Sequence, residues 1–424
     1  MSARWTIVQG SPQHRIYRWV GWGSFVAAVL LIPLIVADVA VINIGSNSYK
    51  FTMSQLTLAT SWAVAVLGVQ VIVGYTGQLT LGNSFFAGVG AYLTAILVAD
   101  YHWSYVSTLV VVLPITFLLG MAIGLPALRI RGLYLALVTI SIAALLPSFA
   151  KLDTISIPFT GKTISELTNG SNGKDIKSIS KIKSPDWIPW DGIAGFFQGI
   201  PVVGKFFGEG GLSARQEDTL YKYLIMLAIA VIAFWLVRNL LNSRVGRALQ
   251  AIRDNETSAA VSGVDLALYK TLAFGVSAAL AGVAGTMYAI DIGFVNSDDF
   301  GLFLAVNFVV GLVVGGVINM WGAVVGGLAI VLIPSMARST QSVPLVKQSW
   351  LQGPVGPFVQ GVLLILLTFV LPGGIVYGIR RLRARFVQVV PPELAAKGDM
   401  EEPPEDYIPL MEEPPPELSE SVPD

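Results

Sequence analysis

The sequence predicts an all-α, polytopic membrane protein with about ten transmembrane helices, one of them broken near Gly74–Gly82. Three observations predict it. Of 424 residues, 54% are hydrophobic and only 13% charged, against about 25% charged in a typical soluble domain. Mean hydropathy is +0.68. The apolar residues also gather into uncharged runs of roughly 20, the length that crosses a hydrocarbon core.

The elements follow in order. Residues 1–19 precede the first apolar run, and no small-residue cleavage pattern follows it, so that run reads as a span rather than a signal peptide. Membrane helices fill 20–149, with candidate spans Val20–Ile42, Met53–Val73, Gln78–Ala99, Tyr105–Leu128 and Gly132–Phe149. A polar segment, 150–219, comes next; from Lys151 to Thr219 it holds eight basic and eight acidic residues. Such length in a connection marks a functional or disordered loop. Leu220–Leu241 is the next span, 242–267 a polar pair of short helices, and 268–379 holds Leu268–Ile290, Phe300–Ile318, Gly322–Ala337 and Pro354–Val376. Residues 380–424 are basic and then acidic and Pro-rich, a composition that cannot bury a core.

Arginines set the orientation. With the N-terminus inside, cytoplasmic segments hold Arg15/Arg18, Arg129/Arg131, Arg244/Arg247/Arg253 and Arg380/Arg381/Arg383/Arg385. Short outer loops then carry only Lys50, Arg338 and Lys347, beside Asp100, Asp298 and Asp299. Both termini are therefore expected in the cytoplasm and 150–219 outside, in a cell (inner) membrane.

Catalytic chemistry finds no foothold. There is no cysteine, and the two histidines, His14 and His102, are far apart in sequence. No metal, cofactor or nucleic-acid partner is expected. "SIPFTGKT", Ser156–Thr163, ends like a phosphate-binding loop, but serine stands where that loop needs its first glycine and Pro158 removes an N–H donor. Nor do the spans hold the Asp/Glu/His relays of proton-coupled carriers; Asp38 and Asp291 sit near span ends, within expected reach of water.

The segment Asn242–Lys270 is the most informative. Ser243 can cap a helix with Val245, Ala248, Leu249 and Ile252 on one face and Arg244, Arg247, Gln250 and Arg253 on the other. Asn255 can cap a second short helix, which Gly263 ends in the left-handed conformation. One reading is an interfacial helix held by membrane lipid phosphates. The other is a docking element, with Glu256, Ala259, Ala260 and Gly263 forming a small-residue face for a partner's groove.

"SRVGRALQAIRDNETSAAVSGVDLALYKTLAFGVSAALAGVAGTMYA" resembles the cytoplasmic coupling region and following span of ABC-importer permeases of the branched-chain amino acid, LivM-like type. In order, "GYTGQLTLGNSFFAGVGAYLTAIL", "LRIRGLYLALVTISIA", "LTNGSNG", "VVGGVINMWGAVVGG" and "LPGGI" are similar to that family too. The likeness runs from about Ser54 to Arg383. It implies a paired permease, cytoplasmic ATP-binding subunits docked on the coupling region, and an extracytoplasmic solute-binding protein. Carried onto this chain, the coupling residues are Arg244, Gly246, Arg247, Arg253, Glu256, Ala259, Ala260 and Gly263. Departures are Asn83 in place of a common histidine, Asn169 in place of the usual glycine, and "GFVNSDDF" without the frequent proline.

The stretch 74–97 combines five glycines with Gln78, Thr80, Asn83 and Ser84. Irregular backbone at membrane depth is tolerated only inside protein or along a wet cavity. Gly74, Gly77 and Gly82 are expected to interrupt the helix, with a new helix beginning near Leu79. Asn83, Ala87, Ala91 and Ala95 share one face, which suits close helix packing. Gln78, Thr80, Asn83 and Ser84 suit a path for a neutral or zwitterionic solute, where fixed charges would bind too tightly or cost desolvation. The expected function is a permease subunit, itself not an enzyme, for branched-chain or other hydrophobic amino acids. Urea or short amides are the alternative solutes, and a secondary carrier or channel is the alternative class.

Overall fold

A computed structural model describes residues 5–8, 41–44, 47–50, 52–127, 133–153, 163–176, 185, 214–339, 361–362 and 373–390. The expected spans Val20–Ile42 and Pro354–Val376 lie almost wholly outside the described residues, as do Asp38, Arg129, Arg131, most of Lys151–Thr219 and the acidic tail.

The chain divides into two units. In the smaller, 1–31 with 379–424, strand β1 (Trp5–Val8) pairs in parallel with β6 (Val387–Val390). The larger, 32–378, carries the helical bundle. Its helices are α1 (Met53–Thr76), α2 (Asn83–Ala99), α3 (Tyr105–Ala127), α4 (Leu133–Phe149) and the short α5 (Ile164–Thr168). Then come α6 (Ala214–Asn242), α7 (Arg244–Asp254), α8 (Glu256–Val261), α9 (Leu266–Ile292), α10 (Leu302–Gly315) and α11 (Met320–Ser339); α12 (Gly374–Phe386) begins in this unit. The strands here are short: β2 (Val41–Ile44) with β3 (Asn47–Lys50), and β4 (Lys174–Asp175) with β5 (Phe294–Val295), both antiparallel.

Among the described residues, four helices are long and apolar enough to cross a membrane: Met53–Thr76, Tyr105–Pro126, Glu217–Asn242 and Leu266–Ile292. Four more are apolar but shorter, namely α2, α4, α10 and α11. α1 and α9 are apolar all round because they are central: 78% and 89% of their apolar windows are buried, against 22% for α3 and α6. α9 packs against α1, α2 and α3, while α11 packs on α1 and α10.

Small residues make that closeness possible, as expected where lipid offers no hydrophobic drive between helices. Asn83, Ala87, Ala91 and Ala95 are all buried, the shared face that their spacing predicts. A Cβ on Gly285 would overlap the Ala87 carbonyl, and one on Gly90 would overlap Gly282, so α2 and α9 meet backbone to backbone. Thr94 donates to Thr286 across the same seam at 2.9 Å.

Asp291 corrects an expectation. Its side chain is fully buried rather than reached by water, because Lys222 of α6 lies 2.7 Å from Oδ1. Lys222 also donates to the Asp291 carbonyl, and Ser54 to Oδ2, so the pair ties α6 and α1 to the end of α9. A buried carboxylate with a cation beside it escapes most of the desolvation cost that an unpaired one would carry.

Candidate functional site

The first helix break is tighter than the sequence suggests. α1 continues through Gly74 to Thr76, and Gly77 ends it in the left-handed conformation, φ 71°. Gly74 is an interior packing position, where a Cβ would meet the Val317 carbonyl at 2.5 Å. α2 begins at Asn83 with Gly82 as its N-cap, four residues later than the expected start near Leu79. The delay has a tertiary counterpart: Leu81 N–H donates to Thr139 Oγ1 of α4 at 3.0 Å, which ties the non-helical segment before α2 to α4.

The four polar residues of this stretch differ in placement. Thr80, Asn83 and Ser84 are buried, and Gln78 is half-buried. Thr80 Oγ1 accepts from Gly82 N–H at 3.3 Å, and Asn83 Nδ2 donates to Ser277 Oγ of α9 at 2.9 Å. Gln78 Oε1, Asn83 Oδ1 and Ser84 Oγ have no hydrogen-bond partner among the described residues. Buried acceptors and hydroxyls left open in this way are costly unless something fills them.

A second break lies between α10 and α11, where the sequence ends one span at Ile318 and begins the next at Gly322; α10 stops at Gly315 and α11 starts at Met320. Gly316 takes φ 118°, outside the range of other residues, and ends α10. Two side chains of α1 hold the freed carbonyls: Gln70 Nε2 donates to Val317 O at 2.9 Å, and Tyr75 OH to Ile318 O at 3.0 Å. Gly374, at the start of α12, closes on the same point; a Cβ there would lie 2.7 Å from Gly316 Cα. Gln70 is a fully buried amide in an otherwise apolar run.

The α7–α8 pair follows its local code. Ser243 Oγ accepts from Val245 N–H at 3.1 Å, Asn255 Oδ1 accepts from Ser258 N–H at 3.0 Å, and Gly263 takes φ 84°. Leu249 and Ile252 are buried, whereas Arg244, Arg247 and Arg253 are exposed. The remaining residues separate. Gly246 is a packing glycine against the Leu241 backbone, and Ala259 is buried, while Ala260 and Gly263 are exposed. Glu256 is engaged within the chain, its Oε1 accepting from the buried Lys270 at 2.6 Å. Val261, at the end of α8, is an apolar side chain 86% exposed that helical spacing did not single out.

These parts meet. The first break abuts α7: a Cβ on Gly77 would touch Arg253 Cγ at 3.4 Å. Both breaks and the α7–α8 surface therefore share one end of the bundle, joined through the C-terminal turn of α1.

The opposite end, beyond Ala99, is capped by parts of the polar segment. Lys174 pairs with Asp100 at 2.7 Å and donates to the Leu167 carbonyl. Thr168 bonds the Ala150 carbonyl, Ile176 N–H the Gly293 carbonyl, and Lys151 pairs with Asp298 at 3.4 Å. Asn169 explains one departure: it sits at φ 62°, where glycine is the usual choice, and its Nδ2 donates to Gly173 O at 2.8 Å. Asp299 accepts from Tyr288 OH at 3.0 Å. Burial of its carboxylate raises the Asp299 pKa, the Tyr288 bond lowers it, and neighbouring Asp298 raises it, for a net upward shift.

Comparison with known proteins agrees with this architecture. The chain is 29% identical over 300 residues to the high-affinity branched-chain amino acid transport system permease protein LivM of Escherichia coli K12. That alignment covers 68% of this chain but only 64% of the relative, and 62% of the LivM of Salmonella typhimurium LT2. The galactofuranose transporter permease protein YtfT of E. coli K12 is 24% identical, over 75% of this chain and 79% of its own length. The LivH permease of S. typhimurium is 22% identical, over 78% and 97%. The sequence model of one family, described as branched-chain amino acid transport system, permease component, matches residues 51–368, and the chain belongs to that family.

Proposed function

We propose that this chain is the membrane-spanning permease subunit of an ATP-binding-cassette importer for branched-chain or other hydrophobic amino acids. It moves solute by alternating access and makes no covalent change to it. ATP is hydrolysed on separate cytoplasmic subunits that dock on α7–α8, through Arg244, Arg247, Arg253, Ala260, Val261 and Gly263. A solute-binding protein delivers cargo at the Asp100–Lys174 end, which faces outward, and both termini are cytoplasmic.

The observation that carries the reading is Gly77 seated on Arg253. A push on α7 reaches the first break directly, and through Gln70 and Tyr75 it reaches the second. Gln78, Asn83 and Ser84 offer uncharged polar atoms at the first break. Such groups suit a zwitterion or a neutral solute, since neither needs a fixed counter-charge.

Helix length separates the remaining apolar surface. α3 and α6 expose Val110, Leu118, Ile232 and Trp235 and are long enough to face lipid. α10 exposes Phe303 and Val306, yet at 14 residues it rises only about 21 Å. Against a core about 30 Å thick, a second permease subunit covers it better than lipid does.

The LivM relatives support amino acids as cargo; the galactofuranose permease supports a neutral sugar as the second reading. Ala260→Trp tests the dock, because added bulk blocks a close-packed contact while α8 stays free to fold. Insertion in the membrane should persist and stimulation of ATP hydrolysis by loaded binding protein should disappear. Normal stimulation in Ala260→Trp refutes the assignment.

A further inference from the structure

α2 carries two faces of different character. Asn83, Ala87, Ala91 and Ala95 form the close seam with α9. The face beside it repeats Ser84, Gly88 and Tyr92 at i, i+4 spacing, about 12 Å from end to end. That second face looks onto α4 and onto the Ser297–Phe300 turn between α9 and α10. A Cβ on Gly88 would overlap Leu146 of α4 and lie 3.0 Å from Phe300 Cβ. Tyr92 OH faces Ser297. Ser84, Tyr92 and Ser297 are all buried, and none of their hydroxyls completes a hydrogen bond of ordinary geometry among the described residues. Open hydroxyls therefore lie at both ends of this face, a costly arrangement unless a guest fills them.

Between those ends the Phe300 ring occupies the gap that Gly88 leaves. It is fully buried and meets Tyr288 edge-on at 5.2 Å, and Tyr288 in turn stacks on Trp62. What carries this ring is slight, a four-residue turn whose Asp298 and Asp299 are exposed. The turn is fastened at the surface by Lys151 to Asp298 and by Tyr288 to Asp299. A ring on a short surface turn leaves its seat by a local opening, whereas a ring on a span needs the whole helix to move.

We infer that solute crosses along the Ser84–Gly88–Tyr92 face of α2, and that Phe300 is the constriction that closes this path. Withdrawing the ring opens the Gly88 gap and joins the two sets of hydroxyls into one lane, with α4 as its other wall. The lane offers hydrogen bonds without fixed charge, so it takes a small zwitterion such as an α-amino acid, or a neutral solute. β5, just before the turn, pairs with β4 of the polar segment, so a binding protein docked there acts on the same turn. The inference rests on the permease reading, and the experiment keeps the two apart.

Two readouts on the full chain test it. The chain has no cysteine, so Ser84→Cys supplies one defined thiol in nanodiscs. Phe300→Ala should speed its labelling by a small thiol reagent by about tenfold or more, within what the loss of a buried ring can shift. Phe308→Ala removes an equally buried ring that touches Trp62 instead, and it should leave the rate within about twofold. Where alanine prevents folding, Phe300→Leu reads the same effect at smaller amplitude. Unchanged labelling in the Phe300 variants, or equal acceleration in Phe308→Ala, overturns the inference. The second readout is leucine preloaded into proteoliposomes that hold the full complex. It should leak without ATP in Phe300→Ala and stay in place with the native chain. A native complex with no ATP-driven leucine uptake overturns the amino-acid permease reading and this path with it. Native uptake with no leak in Phe300→Ala overturns the path alone.

Discussion

Thr139→Val isolates the bond that holds the first break in place. The threonine hydroxyl accepts from Leu81 N–H at 3.0 Å while donating to a carbonyl of its own helix, Leu135 or Ala136, at 3.0 Å. Valine keeps the shape, and the Thr139 Cβ that lies 3.5 Å from a Cβ built on Gly82 stays in place. The loss is therefore one hydrogen bond between helix and loop, with the Leu81 N–H stranded. Interhelical bonds in membranes average about 0.6 kcal/mol and reach about 2, and a stranded buried donor costs about 1–3 kcal/mol. Because Leu81 is only half-buried, about 1 kcal/mol is expected. That is roughly a fivefold rise in the population of an opened break. Ser84→Cys reports it, since Ser84 is fully buried in a cysteine-free chain and reacts only on opening. Thiol labelling in Thr139→Val should quicken by about five times, while Thr94→Val, at the α2–α9 seam, leaves it nearly unchanged. Equal rates with and without Thr139→Val, or equal acceleration in both variants, refute the assignment of Thr139 as the anchor.

Three further outcomes follow from named contacts. Gly285→Ala should lower thermal stability by about 1–3 kcal/mol or more through overpacking at Ala87. Gly263→Ala meets nothing within 4 Å and carries only backbone strain at φ 84°, about 1–2 kcal/mol; equal losses would contradict a tight α2–α9 seam. Val261→Ser should leave stability within about 0.5 kcal/mol, as for an exposed site, yet reduce co-purification of ATP-binding subunits, and undiminished recovery removes Val261 from the dock. The raised Asp299 pKa means that the folded state holds its proton longer than the unfolded chain does. Stability from this group is therefore full below the unfolded carboxylate pKa and lost as pH rises through the folded value. Asp299→Asn should flatten that part of the stability–pH curve, and an unchanged slope would show that Asp299 does not set it.

Local code was legible and tertiary code was not. Ser243, Asn255 and Gly263 mark the ends of α7 and α8 because caps and left-handed glycines act within a few residues. The seam of Asn83, Ala87, Ala91 and Ala95 was visible because helical spacing alone groups it. The start of α2 was misplaced by four residues because its determinant, Thr139, lies 58 residues away. The second break was legible as the gap between Phe300–Ile318 and Gly322–Ala337, but what holds it was not: its carbonyls are held from α1, 247 residues back in the case of Val317. Asp291 looked reachable by water until Lys222 was placed beside it. Ala259 and Ala260 looked like one face, but α8 lies with the first turned inward and the second outward. Which way a six-residue helix rolls is set by what it packs on, and composition does not carry that.

As proposed above, this chain conducts solute only when ATP-binding subunits drive it through α7 and α8. Uptake of labelled leucine into proteoliposomes holding the full complex tests it most directly. Uptake should require ATP on the α7–α8 side, persist when ion gradients are collapsed, and vanish in Ala260→Trp. Uptake by the chain without ATP-binding subunits, running on an ion gradient and failing when that gradient collapses, would contradict it.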